Sequence, residues 1–333
     1  MNFLVVGDVM LDRFMEGTPH AFCSDTGGSY FHVKRATEVP GGAANVAIWL
    51  SHYVQQDGKF PYVRLIGVVG DDWAGDTVCK QLASSKVYAR LTILKGRPTT
   101  VKQRQVARQG AVLRPCSRID FETTTPVELS ETPGIDFVPP DGGSWDAVVF
   151  SDYRKGVITK ELLQLYRRQQ GSEVIVVDPG REMPWSWYRE KLGDSSPQCL
   201  IKANLDEAGD TYRCIRGSHH SSDPLSLTDL ATFLSKVYSP WMIAVTAGAA
   251  GIAVAVNGRA ESVTAEVKFD FSSSSPCTYP ACGAGDVAAA VFAAKLREVG
   301  LFDAAFLANQ VVAACISQSI RRKKPGNLVS WML

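Results

Sequence analysis

No two of the eight cysteines form a C-x-x-C pair. They stand at positions 23, 79, 116, 199, 214, 277, 282 and 315, which suggests neither a zinc site nor a small disulfide framework. Excess charge is also lacking: 35 Lys and Arg face 34 Asp and Glu, for a net charge of +1. Such a balance gives no general attraction to nucleic acid. The one basic run, Arg321-Arg-Lys-Lys324, reads as a solvated helix end, where cations suit the helix dipole. The first residues, Met1 to Asp8, reach polar side chains after a few apolar ones, which fits a strand rather than a signal peptide. No apolar run is expected to approach the length of a membrane span. There is no internal repeat, and no G-x-G-x-x-G follows the first strand, so the main dinucleotide-binding fingerprint is missing. These absences predict a cytoplasmic protein with reduced thiols and with neither nucleic acid nor membrane as partner.

What is present is ordinary globular composition, 45% apolar and 21% charged, in a chain long enough to bury one or two cores. The chain is organised around Cys282-Gly-Ala-Gly-Asp286 and the apolar, helix-forming stretch from Val287 to Leu296. Gly283, Ala284 and Gly285 form a turn of little bulk that opens a buried helix, and its free N–H groups make an anion site. Asp286 at that start is either a helix cap or a general base beside the anion hole, the pair that phosphoryl transfer to a hydroxyl requires.

Upstream, short apolar runs end repeatedly in polar or Gly-rich turns. Phe3–Val6 leads to Gly7-Asp8, with Asp12 following; Ala147–Phe150 leads to Ser151-Asp-Tyr153; Val174–Val177 leads to Asp178-Pro179. Cys199–Ile201 leads to Lys202-Ala-Asn204, with Glu207 three residues on, and Met242–Val245 leads to Thr246, Gly248 and Gly251. This is the pattern of a parallel sheet with one functional edge at the strands' carboxyl ends. Gly41-Gly42, with Asn45 beyond, opens another helix and offers either a tight entry to that packed helix or close backbone approach to a substrate. Thr99–Val106 alternates as a half-exposed strand with Lys102 and Arg104 on one face and Arg108 beyond them, a basic face that suits solvent or an anionic substrate. Residues 13–40 read as irregular strands outside the main sheet, 123–145 as a loop, and 252–269 as a hairpin.

The ordered set of Asp12, Gly41-Gly42 with Asn45, Asn204-x-x-Glu207, Thr246-x-Gly248-x-x-Gly251 and Gly283-Ala-Gly-Asp286 resembles the ribokinase-like (PfkB) carbohydrate kinases over nearly the whole chain. The nearer resemblance is to their heptose-7-phosphate kinase branch. Gly7-Asp-Val-Met-Leu-Asp-Arg13, Pro40-Gly-Gly-Ala-Ala-Asn-Val-Ala47, Arg118-Ile-Asp-Phe-Glu122, Ser151-Asp-Tyr153 with Lys155-Gly156, and Val177-Asp-Pro179 carry it. It implies an α/β fold, a three-layer sandwich with a central mostly parallel sheet and a small β lid, in one kinase domain over 1–333 with lid pieces at about 13–40 and 91–121. It also implies ATP and Mg²⁺, a sugar or sugar phosphate as acceptor, and a homodimer through the lid.

Residue by residue, the resemblance makes Asp286 the catalytic base and Gly283, Ala284 and Gly285 the anion hole. Asp12, Gly41, Gly42, Asn45, Lys102 and Arg104 are substrate-facing. Asn204 and Glu207 organise Mg²⁺, through water, and the nucleotide phosphates; Thr246, Gly248, Gly251 and Asn309 also face ATP. The chain departs from the pattern at Pro280 and Cys282, where the last motif usually holds Asp and Thr, and at Gly180-Arg181, which displaces a lysine after Asp-Pro. A non-catalytic sugar or nucleotide sensor on the same fold is the competing expectation.

Overall fold

The structure is a computed structural model that describes residues 1–25, 27–109, 112–132, 135–169, 173–193, 198–217, 226–264 and 283–322. Pro280 and Cys282 lie outside them, as do Lys323 and Lys324 of the basic run and the side chain of Arg108. The elements in chain order are β1 (Asn2–Gly7), β2 (Val9–His20), β3 (Tyr30–Gly42), α1 (Ala43–Gln56), β4 (Tyr62–Gly70), α2 (Trp73–Ala83), β5 (Tyr88–Leu94), β6 (Thr100–Gln109) and β7 (Val112–Phe121). They continue with β8 (Ala147–Ser151), α3 (Lys160–Arg168), β9 (Val174–Asp178), α4 (Trp185–Leu192), β10 (Cys199–Asn204), α5 (Leu205–Arg216) and α6 (Leu227–Val237), then β11 (Met242–Thr246), β12 (Ile252–Val256), β13 (Arg259–Val263) and α7 (Ala284–Arg322).

Nine strands form one sheet in the order β13-β12-β11-β10-β9-β8-β1-β4-β5. The pairs from β11 to β5 are parallel, and the β12–β13 hairpin adds an antiparallel edge. The central strands read as near-continuous apolar runs because both faces are covered. One core cluster joins one face of the sheet to α1, α2 and α7; a second joins the other face to α3, α4, α5 and α6. Phe3, Leu4, Val5 and Val6 of β1 are fully buried between the two. The result is the three-layer sandwich that the sequence predicts.

The small sheet has the order β3-β2-β6-β7. It begins earlier than expected, at Val9, because only Asp8 separates it from β1. Its second piece begins at Thr100 rather than 91, since β5 pairs with β4 at the edge of the main sheet. The 123–145 stretch carries one short 3₁₀ turn, Leu129–Glu131, among its described residues.

The expectation about membrane-length runs needs correction. Ala284–Ser317 within α7 is long and apolar enough to cross a membrane, with a mean hydropathy of 1.7 over its best window. The core helix of a globular protein passes the same test. Val287 to Ala294 are buried in the core, and the helix is interrupted at Gly300, where φ is +81°.

Candidate active site

Parallel register lines up the carboxyl ends of the strands, and with them the polar turns. Gly7 stands opposite Ser151, Ser151 opposite Asp178, and Asn204 opposite Thr246. β9 and β10 are paired up to Val177 and Ile201, so Asp178 and Lys202 follow on the next rung. Their side chains form a buried ion pair, Nζ to Oδ1, at 2.7 Å.

A cavity of about 540 Å³ opens over this edge. Its floor carries Asp178, Lys202, Asn204, Thr246 and the turn Gly283–Asp286; Lys102, Arg118 and Tyr153 also line it. The turn opens α7, with Val287 N–H donating to the Gly283 carbonyl at 3.0 Å. A Cβ on Gly285 would stand 3.0 Å from Lys202 Nζ. The glycine therefore admits an ammonium to the underside of this turn.

Asp286 is 3% exposed, and both of its oxygens are held. The Tyr153 hydroxyl donates to Oδ1 at 2.7 Å, and Asn45 Nδ2 donates to Oδ2 at 2.5 Å. Burial first, and the Asp178 charge second, push its pKa up to about 6, against the pull of those two donors and of Lys202. A carboxylate so placed is ionised at neutral pH yet nearer in basicity to an alcohol's needs than a solvated one. Burial by itself lowers the Lys202 pKa, but Asp178, Glu207 and Asp286 outweigh it and raise it.

On the small-sheet side, Asp12 and Arg104 form a largely buried ion pair. Asp12 also explains Gly41, since a Cβ there would come within 2.7 Å of its Oδ2. Arg104 does not line the cavity, so the expected pair of cations on one strand face is divided: Lys102 reaches the cavity and Arg104 is spent on Asp12. Lys102 Nζ lies 4.3 Å from the centre of the Tyr153 ring. Burial pushes the Lys102 pKa down while Asp12 draws it up.

Asn204 and Glu207 cap α5 reciprocally: Glu207 N–H donates to Asn204 Oδ1 and Asn204 N–H to Glu207 Oε2, each at 2.9 Å. Burial, then Asp178, raises the Glu207 pKa. Glu207, Asp206 and Asp178 face the cavity, but no group of three His, Cys, Asp or Glu able to hold a metal occurs among the described residues. That donor set fits Mg²⁺ bound chiefly by phosphate oxygens and water, with few protein ligands. Gly248 and Gly251 lie on the loop after β11 outside the cavity lining, and Asn309 donates to the Val263 carbonyl at 3.4 Å.

Three site residues were unassigned by sequence reasoning: Tyr153, Asp178 and Lys202. None of the three carried a local signal of its role, since each stands just after an apolar run, where solvent-facing residues also stand. Asp8, expected at the chemical edge, instead serves the backbone: it accepts N–H bonds from Tyr153 at 2.8 Å, Lys155 at 2.9 Å and Val157 at 3.1 Å.

The family model for pfkB family carbohydrate kinases matches residues 2–323. The chain belongs to that family. Among solved structures, this PfkB kinase is similar to phosphofructokinase-2 from Escherichia coli in complex with substrates and products, with a TM-score of 0.66 and 17% identity over 94% of this chain and 92% of that one. It is also similar to ribokinase from Cryptococcus neoformans in complex with ADP, with a TM-score of 0.64 and 20% identity over 99% and 96%. Among curated proteins it is 28% identical over 317 residues to the bifunctional protein HldE of Psychromonas ingrahamii, covering 95% of this chain and 60% of that protein. The HldE of Wolinella succinogenes is 34% identical over 193 residues, 56% of this chain and 38% of that protein. The PfkB kinase thus spans at most about 60% of the length of these curated relatives.

Proposed function

We propose that this PfkB kinase transfers the γ-phosphoryl group of ATP to a hydroxyl of a sugar phosphate, with heptose 7-phosphate the acceptor favoured by the sequence resemblance and by the HldE relatives. The observation that carries the reading is Asp286, buried, doubly hydrogen-bonded and set at a glycine turn with Lys202 beneath it. The acceptor hydroxyl gives its proton to Asp286 as its oxygen bonds to the γ-phosphorus. The bond from that phosphorus to the β,γ-bridging oxygen breaks, and ADP leaves with the electron pair. The transferring group's charge is met by the N–H groups of Gly283–Gly285 and by Lys202.

Asn45 Oδ1 is buried without a protein partner and would accept a bond from a sugar hydroxyl; Asp12 lies beside the same loop. Lys102 meets the acceptor's anionic group, with Arg104 fixing Asp12 rather than gripping phosphate. Asn204 and Glu207 would organise the water of a Mg²⁺ ion, which when bound with the nucleotide would supply charge neutralisation. Thr246, Gly248, Gly251 and Asn309 belong to the nucleotide side, and the small sheet is the lid through which two copies pair.

The test is ADP release with Mg²⁺–ATP across a panel of neutral sugars and sugar phosphates, heptose 7-phosphate among them. Turnover confined to phosphorylated acceptors supports the reading. Ligand-induced stabilisation with no ADP release from any acceptor replaces it with a sensor.

A further inference from the structure

The loop after β8 is fixed more heavily than a connection needs. Asp8 accepts three of its N–H groups, Asp152 N–H donates to the Asp178 carbonyl at 3.0 Å, and Arg154 N–H donates to Asp152 Oδ1 at 2.6 Å. The Tyr188 hydroxyl donates to the other Asp152 oxygen at 2.6 Å. Arg154, directly after Tyr153, is held at a φ of +57°, a left-handed conformation that costs a non-glycine residue energy. All of this restraint converges on one side chain. The Tyr153 hydroxyl reaches Asp286 Oδ1 at 2.7 Å, and the Tyr153 ring carries Lys102 Nζ at 4.3 Å.

We propose that Tyr153 is a positioning residue for the phosphoryl-transfer base, holding Asp286 with its hydroxyl while its ring seats Lys102, the cation that meets the acceptor's anionic group. The inference rests on the kinase reading above. Asn45 on the opposite oxygen fixes the carboxylate plane together with Tyr153, which leaves the remaining lone pairs for the acceptor hydroxyl. Burial and the Asp286 charge raise the phenol's own pKa well above the ordinary range, so Tyr153 stays protonated and acts as a donor. A cation seated on an aromatic face keeps its place without an ion pair to compete with an incoming phosphate. The same ring therefore sets the distance between the acceptor's charge and the reacting hydroxyl.

The charged and titratable groups that face Asp286 are Tyr153 after β8, Asp178 on β9 and Lys202 on β10, with Lys102 on β6 further off; Asn45 on α1 is neutral. Of these, Y153F removes one donor that lowers the Asp286 pKa and leaves the ring. The experiment uses the full chain with Mg²⁺–ATP and whichever sugar phosphate the wild type turns over.

Y153F is expected to lower kcat about 10–100-fold, with KM for ATP and acceptor within about twofold. The acid limb of kcat should move to higher pH, which a purely structural role would not cause. Y153L, which also loses the ring, should in addition raise the KM of the phosphorylated acceptor about fivefold or more, consistent with loss of a charge-assisted contact. Thermal melting of both variants reports folding, and Y153F decides alone if Y153L does not fold. A Y153F kcat within about twofold of wild type and an unmoved limb overturns the proposal, as does a loss confined to KM, since base positioning acts on kcat. A wild type inactive on every acceptor overturns the kinase reading itself, and this inference with it.

Discussion

The two halves of the proposed site differ in how far they are finished. On the proposed acceptor side, Asp12, Asn45 and Asp286 are 6%, 0% and 3% exposed; Asp12 pairs with Arg104, and Asp286 accepts from Asn45 and Tyr153. On the proposed nucleotide side, Asn204 and Gly248 are exposed, and Asn204 and Glu207 hydrogen-bond to each other's backbone at the start of α5. The first side is preorganised: its geometry is fixed before any ligand arrives, which is where electrostatic catalysis gains most. The second has its polar groups satisfied by a helix cap, so it presents a stable rim that a polyphosphate and its ion can join. In the proposed function, chemistry is built into the buried side, and nucleotide binding is left to the open one.

The sharpest way to break this contrast is to neutralise the proposed base. D286N is expected to lower turnover about 10²–10⁴-fold while leaving ATP binding nearly intact, because Asp286 belongs to the finished side alone. Equal loss of ATP affinity, read by titration calorimetry, would show that the two sides are not separable.

Next in size is Lys202, which lies on the seam. K202M is expected to lower kcat about 10²-fold, the scale of losing one group aimed at developing charge. It also leaves Asp178 buried without its partner, a cost of about 3–5 kcal/mol. The double variant K202M/D178N separates the two effects: melting should recover while turnover stays low. Recovery of both would make the pair structural only.

A smaller effect is expected at Lys102. K102A should raise acceptor KM about tenfold and leave ATP KM unchanged, in keeping with one charge-assisted contact to phosphate. If neutral sugars serve as well as their phosphates in the wild type, Lys102 has no such role.

How far these differences could be read from the sequence follows the same division. The strand-then-turn pattern placed Asp178, Asn204 and Thr246 at one edge because parallel register does the aligning, and the glycine turns announced themselves by composition. The pairing of Asp12 with Arg104 was hidden. It depends on β2 and β6 lying side by side with Asp12 opposite Lys102, a register between segments about ninety residues apart that no local pattern encodes. Lys202 and Tyr153 were hidden for another reason. Their importance lies in what stands opposite them, and a lysine or tyrosine after an apolar run looks the same whether it meets solvent or a buried carboxylate.

The smallest expected effect concerns stability, and it reports the cost of the finished side most directly. The Asp286 pKa is raised from 3.8 to about 6, by burial first. A carboxylate whose folded pKa lies above its unfolded one weakens the fold wherever it is ionised. The penalty is complete above about pH 6, shrinks as the folded state takes up the proton, and is gone near pH 4. A shift of about two units corresponds to about 3 kcal/mol. Asn at the same place carries no charge to desolvate. The Asn45 amide, whose Oδ1 has no protein partner, can turn to receive the new N–H. D286N should therefore melt about 2–5 °C above the wild type at pH 8, with the gap closing between pH 6 and pH 4. A gap that is absent at pH 8, or constant with pH, would mean that Asp286 sits in its site without strain and that the acceptor side is less desolvated than its burial indicates.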